Sequence, residues 1–432
     1  MRYPFWFMIF SLLSVASVAK SQQPDTTFVQ TYYDSAQTIL REQYYILGQD
    51  SSLVHGSYER FHYGGNTSAR AVFVEGKLDG PLEEFYPEGT LQRITPYQKG
   101  VKQGTIIAFS PKGDTLQTAT FMNDKLEGDM RIFYEDGTLK NKTQFKAGKP
   151  EGSIESYYPN GELKEVISYH NGLQHGPART YYEDGTLQSE FTYRQSVIDG
   201  LVTEYHPNGE LADQTYFRKG QRHGSSKSYS DSGQLLKEET YKNGFLEGGS
   251  QYYYPDGQLK MQMTHKGGKP VGEHISYYPD GTKKSVNTFS EAGKQENTYY
   301  PGGTLESARQ YGAGNSPQGT WQFYHENGKL AKTEPYQNGK LHGTLTTYYA
   351  DGTTESTQDY NKGRKSGLGK TFYSSGALKS STAYYFGVVQ GEFREYYENG
   401  QLKTEGAYSG GKKTGNWKNY DAQGTVLESV KH

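Results

Sequence analysis

The 432-residue chain contains no cysteine. That excludes disulfides, thiolate metal sites, a cysteine nucleophile and a lipid-modified cysteine. Aliphatic residues are scarce too. Only 33% of the chain is hydrophobic, and tyrosine alone contributes 40 residues, so several conventional cores cannot be filled. Neither sign of charge dominates: 46 basic and 48 acidic residues leave a net charge of −2. Bulk attraction to nucleic acid or acidic lipid is therefore not expected. No histidine pair has the four-residue spacing of a helical zinc site.

Aromatic residues and glycine are what the chain has. Aromatics make up 14%, too many for a solvated tail, and there are 53 glycines. This balance suits a thin β structure in which tyrosine covers sheet surface and keeps its hydroxyl wet. The first nineteen residues read differently. Arg2 precedes the apolar run Phe5 to Ala19, and Ser17-Val18-Ala19 supplies small residues at a cleavage point before Lys20. Fifteen apolar residues are short for a membrane span, so residues 1–19 are expected to be a cleaved signal peptide. Export without cysteine suggests a bacterial route.

Beyond residue 55 the chain repeats. One glycine recurs at Gly65, Gly89, Gly113, Gly137, Gly161 and onward to Gly424, in steps of 24 broken only around Gly303. A second keeps the same beat at Gly56, Gly80, Gly104, Gly128, Gly152 and Gly176. Such a period marks a repeat architecture. Each unit holds two extended runs and two turns. In one copy Ser153 to Tyr158 leads into Pro159-Asn160-Gly161, and Leu163 to Tyr169 leads into His170-Asn171-Gly172. Pro presets φ, and glycine takes positive φ without strain, which gives a type I turn closed by a left-handed residue.

Four residues before the turn glycine an aromatic recurs (Phe85, Phe133, Tyr157, Tyr205). Two after it leucine is usual (Leu91, Leu139, Leu163), and eight after it another aromatic follows (Phe145, Tyr169, Tyr193). These positions are expected to form the core, since side chains of one strand alternate between faces. The position three before the glycine tolerates Ser110, Ser230, His206 and Asp421 and is expected at the surface. Residues 20–55 read as a degenerate cap in which Thr31 to Tyr45 forms a hairpin with Ala36 in the glycine position.

Residues that look chemical fall into repeat positions. His55, His175, His223 and His342 all directly precede the second glycine, so they sit on separate turns. Asp136, Asp184, Asp256, Asp280 and Asp351 are turn residues, each bringing about one carboxylate where Ca²⁺ needs about six or more oxygens. Gly410 to Gly415 lacks the spacing of a phosphate loop. The segment from Asn287 to Gly319 breaks the beat and loses the second glycine at Gln295-Glu296, which reads as drift or a kink before it reads as a site.

The pattern resembles the bacterial variant of the MORN repeat family. Its hallmark, Tyr-x-x-Gly-Lys-x-x-Gly followed by Tyr-Tyr-x-Asn/Asp-Gly, is matched by Tyr336 to Gly343 with Tyr348 to Gly352, and again by Tyr396 to Lys403. The resemblance implies antiparallel hairpins in a long single sheet without enzymatic activity. Such proteins are often labelled antitoxins, which implies a cytoplasmic partner. The export signal argues against that label here.

The expected fold is thus all-β: an elongated single-layer antiparallel sheet of stacked β-hairpin repeats, with about sixteen 24-residue units over residues 56–432. The expected role is that of a non-catalytic exported scaffold for protein–protein interaction in the bacterial envelope, periplasmic, outer-membrane-associated or extracellular. No catalytic residue, metal or cofactor is expected, and no nucleic-acid partner. The candidate partner-binding residues are Tyr134, Tyr158, Tyr182, Tyr254, Tyr278, Tyr300, Tyr349, Tyr373 and Tyr397, since flat aromatics give contact area at low entropy cost. Glycan or cell-wall binding through the same tyrosines is the alternative. Self-association through unpaired sheet edges is a further expectation.

Overall fold

The computed structural model describes residues 25–432, and the signal peptide expected at 1–19 lies outside them. The chain divides into two units, Met1–Gln174 and His175–His432. Within each, antiparallel strands pair with their neighbours in sequence.

One repeat of the first unit shows how the sequence builds the hairpin. Strands Lys149–Tyr157 and Leu163–His170 pair with Ile154 opposite Ile167. Between them the Tyr158 N–H donates to the Glu162 carbonyl at 2.8 Å, and the Gly161 N–H donates to the Tyr158 carbonyl at 2.9 Å. Gly161 has φ of 89°, the left-handed closure that the Pro-Asn-Gly run predicts. The Asn160 side-chain oxygen accepts the Glu162 N–H at 2.9 Å, as asparagine commonly does in such turns. The second turn differs in kind. Asn171 and Gly172 both have positive φ, 52° and 84°, the signature of the two-residue turn that matches strand twist.

The second glycine of each repeat sits in a β-bulge. Thr143 faces Ile154, but Phe145 faces Pro150, so two extra residues are looped into the strand that contains Gly152. This explains the irregular repeat. Between Lys283–Ser290 and Gly293–Tyr299 the register runs unbroken from Ser285 opposite Thr298 to Ser290 opposite Gly293. The two residues missing from the 24-residue step are those of the bulge, so no left-handed glycine is needed at Gln295. Gly293 is required for a different reason: a Cβ there would lie 2.0 Å from the Tyr311 carbonyl oxygen. The compensating extra residue is taken up in the next turn by a single 3₁₀ turn, Ala313–Asn315.

The N-terminal segment is a hairpin, Thr26–Tyr32 against Leu40–Leu47. Its turn is longer than expected. The Tyr33 N–H reaches the Ile39 carbonyl, and the left-handed residue is Gln37 rather than Ala36. Asp34 holds this turn by accepting the N–H groups of Thr38 and Ile39.

The core expectation requires correction. The fully buried positions hold small side chains: Ala69, Ala71, Ala119, Ala178, Ser226, Ser250 and Ser307 are each 4% exposed or less. The recurrent aromatics and leucines, Tyr157, Leu163 and Tyr169 among them, are only half-buried. A single-layer sheet has no opposing layer to receive large side chains, so they stay half-buried and only small side chains are fully buried. Nor do all the expected core aromatics share a face. A bulge shifts the register between Ser156 and Tyr157, and the Tyr157 hydroxyl bonds Glu155 on its own strand. Tyr157 therefore lies on the face opposite Ile167 and Tyr169.

Candidate functional site

The nine tyrosines of the candidate surface were expected to point outward from the sheet. All nine are half-buried instead. Tyr134, Tyr182 and Tyr254 donate their hydroxyls to the carbonyls of Tyr157, Tyr205 and Tyr277 at 2.8–2.9 Å. Tyr278, Tyr300 and Tyr349 do so to Tyr299, Tyr324 and Phe372, and Tyr373 and Tyr397 to Tyr396 and Tyr420. Each acceptor is the last strand residue before the next turn. The tyrosine side chain thus spans one repeat and satisfies a carbonyl that the strand end would otherwise leave to water. The ladder tolerates imidazole: His62, His206 and His325 bring Nε2 to the carbonyls of Phe85, Tyr229 and Tyr348 at 2.9–3.0 Å. That nitrogen must carry the proton, because its partner can only accept.

Lysines three residues after the turn glycine cover these rings. Lys140, Lys164 and Lys260 place Nζ 5.4–5.5 Å from the ring centres of Tyr134, Tyr158 and Tyr254. Lys284, Lys379 and Lys403 stand likewise over Tyr278, Tyr373 and Tyr397. The contacts are cation–π pairs at exposed sites. Tyr182, Tyr300 and Tyr349 have Gln188, Glu306 and Glu355 at the corresponding position.

Some of the other singled-out positions also join neighbouring repeats. The position of His55 caps the next turn, its Nδ1 lying 3.4 Å from the Glu75 N–H. Where that position is acidic the bond is shorter: Glu127 accepts from the Ala147 N–H and Glu151 from the Asn171 N–H, both at 2.7 Å. Glu247 accepts from Gly267 at 2.6 Å. The turn aspartates are engaged with their own backbone. Asp136 and Asp184 accept the N–H groups of Thr138 and Thr186 at 2.8 and 2.9 Å, and these bonds hold both carboxyls below the usual range. Among the described residues, no three His, Asp or Glu side chains cluster closely enough to hold a metal ion.

Three features were not read from the sequence. Paired hydroxyls lie across the hairpins, Thr180 on Ser189, Ser276 on Ser285 and Thr347 on Ser356, all at 2.7 Å. Their recurrence nine residues apart was a signal in the sequence. Glu239 is 5% exposed; burial pushes its pKa up, but the hydroxyls of Tyr252 and Tyr241 and the Lys237 ammonium outweigh this and hold it below the usual range. The third is an aromatic group at the irregular repeat. Trp321 lies between Tyr311 and Tyr336, with centroids 5.0 and 4.6 Å away. It fills the central row where Ser226 and Ser250 stand elsewhere.

Stacked antiparallel hairpins, tied repeat to repeat by turn side chains, define a tandem β-hairpin repeat protein. Residues 78–99, 126–147, 150–171, 174–195, 198–219, 222–243, 246–266, 317–338 and 389–409 match the MORN repeat variant. These nine segments are repeats of the MORN variant family. No curated protein sequence matches the chain significantly. Among solved structures it aligns with a TcdB2-TccC3-Cdc42 crystal structure at 10% identity and a TM-score of 0.13. The alignment covers 94% of this chain and 27% of that one. A Photorhabdus luminescens Tc holotoxin pore, carrying the mutation TccC3-D651A, aligns at 13% identity and a TM-score of 0.13, covering 84% and 23%. The chain spans about a quarter of the length of these structures, and the scores are too low to support a shared overall fold.

Proposed function

We propose that the chain is an exported, non-catalytic repeat scaffold that binds a protein partner in the bacterial envelope. The observation that carries this reading is the division of labour among side chains. The turn residues Tyr, His, Asp, Asn and Glu are engaged in bonds within turns or between repeats. The strand faces offer a partner charge pairs in register: Lys142 with Glu155, Arg179 with Glu190, and Lys227 with Glu238. A surface that repeats its chemistry every 24 residues suits many weak contacts whose avidity multiplies.

Protein is favoured over glycan because the tyrosine rings are not free stacking platforms. Their hydroxyls are engaged, and in six repeats one ring face is covered by lysine. The test is affinity capture from a solubilised envelope fraction, with the chain from Lys20 as bait and the captured species then purified and rebound. A discrete protein that rebinds, and weakens when Lys142, Arg179 and Lys227 are changed together to glutamate, is the expected result. Recovery of polysaccharide or peptidoglycan alone would overturn the reading.

A further inference from the structure

One turn combines three features. Tyr385 and Phe386 stand 66% and 62% exposed at its tip, and Val388 beside them is 46% exposed. Phe386 has φ of 49°, a left-handed conformation that the matching turns assign to Asn171, Lys219, Asn243 and Asn338. A bulky aromatic is uncommon there, and its ring packs against Tyr385 rather than against the sheet, centroids 4.6 Å apart. Nothing in the fold calls for an aromatic at this place.

The second feature is an uncapped N–H. In several repeats a side chain from the preceding hairpin accepts the N–H of this left-handed residue, as Glu127, Glu151 and Gln390 do, whereas Lys219, Asn243, Asn338 and Lys362 share with Phe386 an N–H that no described side chain accepts. For Phe386 the corresponding residue is Ser366, twenty positions earlier, whose hydroxyl is too short to bridge. Among the described residues no side chain accepts the Phe386 N–H. The third feature is a pocket of about 300 Å³ lined by Asn361, Arg364, Lys365, Ser366, Tyr385 and Phe386. Its charge is basic. Arg364 and Lys365 form no ion pair among the described residues, and the neighbouring carboxylate, Asp359, accepts the Thr344 hydroxyl at 2.6 Å.

The geometry points to a binding site for an acidic peptide segment of a partner protein, with an aspartate or glutamate carboxylate seated where the cap is missing. The carboxylate accepts the Phe386 N–H and pairs with Arg364, a charge-assisted bond of the stronger kind, while the Lys365 ammonium stands over the Tyr384 ring. An adjacent apolar side chain of the same segment covers Tyr385, Phe386 and Val388. The site names a partner chemistry for the scaffold reading and rests on it.

Fluorescence anisotropy with a fluorescein-labelled Gly-Glu-Phe-Gly peptide, compared with Gly-Gln-Phe-Gly, tests this on the whole chain. The glutamate peptide is expected to bind about tenfold more tightly, the difference a charge-assisted bond supplies. Ser366→Glu supplies the cap from within and is expected to abolish binding; Phe386→Asn is expected to weaken it at least severalfold. Both variants install residue types that the same positions hold elsewhere in the array, as at Glu151 and Asn171, so folding should persist, and circular dichroism checks it. Equal affinity for the two peptides, or unchanged binding by Ser366→Glu, would overturn the assignment. So would vesicles of phosphatidylcholine and phosphatidylglycerol that bind wild type but not Phe386→Asn while the peptides do not bind, because the tip would then belong to a lipid surface. Peptide failure with partner capture intact removes this site and leaves the scaffold reading standing.

Discussion

The Tyr373 hydroxyl reaches the carbonyl of Tyr396, 23 residues on, at 2.9 Å. A contact this regular makes the tyrosine a structural element first. Tyr373→Phe keeps the ring under Lys379 and loses only the bond, so urea denaturation should register a loss of about 0.5–1.5 kcal/mol. Changing the same residue to serine would remove ring and bond together, and lost binding in such a variant would not distinguish a contact from a loosened stack. A second residue-scale prediction concerns alkali. Tyr58, Tyr157 and Tyr336 are pushed up to about 12 by burial, reinforced by Glu42, Glu155 and Glu334. A tyrosine whose folded pKa exceeds its unfolded value contributes stability that is present below about pH 10 and lost as pH rises toward 12. Absorbance at the tyrosinate band should therefore show a late-titrating class, and the denaturation midpoint should fall across that window. Tyr157→Phe should remove part of the late class.

At the scale of the hairpin, the turn phase was legible because Pro and Gly have few conformations to choose from. The bulges were not. Whether Gly152 closed a turn or opened a bulge depends on the register of the strand opposite, which a local spacing does not contain. The face of Tyr157 was misjudged for the same reason, since the shift beside it moves the residue to the other side of the sheet. The irregular repeat shows the register at work: two residues and one bulge disappear together between Ser285 and Thr298. Glycines then separate into two kinds. Gly400 has φ of 85° and nothing within 4 Å of a Cβ, so Gly400→Ala should cost only the left-handed penalty, roughly 1–2 kcal/mol. Gly293→Ala must also displace the Tyr311 carbonyl, and thermal denaturation should show it as clearly the more damaging of the two. Equal losses would mean that the backbone approach at Gly293 is not rigid.

Over the whole chain the same few bonds recur, and most of them join a repeat to the one after it. The period made the array legible from the sequence. The candidate surface was legible only in part, because an exposed tyrosine and one whose hydroxyl reaches the next repeat occupy the same position in the pattern. The exposed tip at Phe386 was hidden as well, since the local sequence does not show how far its ring stands from the sheet. If stability is assembled from neighbour to neighbour, a local lesion should stay local. Hydrogen–deuterium exchange of the full chain carrying Tyr373→Phe, read peptide by peptide, tests this most directly. Faster exchange confined to the repeats on either side of the lost bond, around residues 350–420, is the predicted result. An increase spread evenly from the N-terminal hairpin to the last strand would show one cooperative unit and contradict the account.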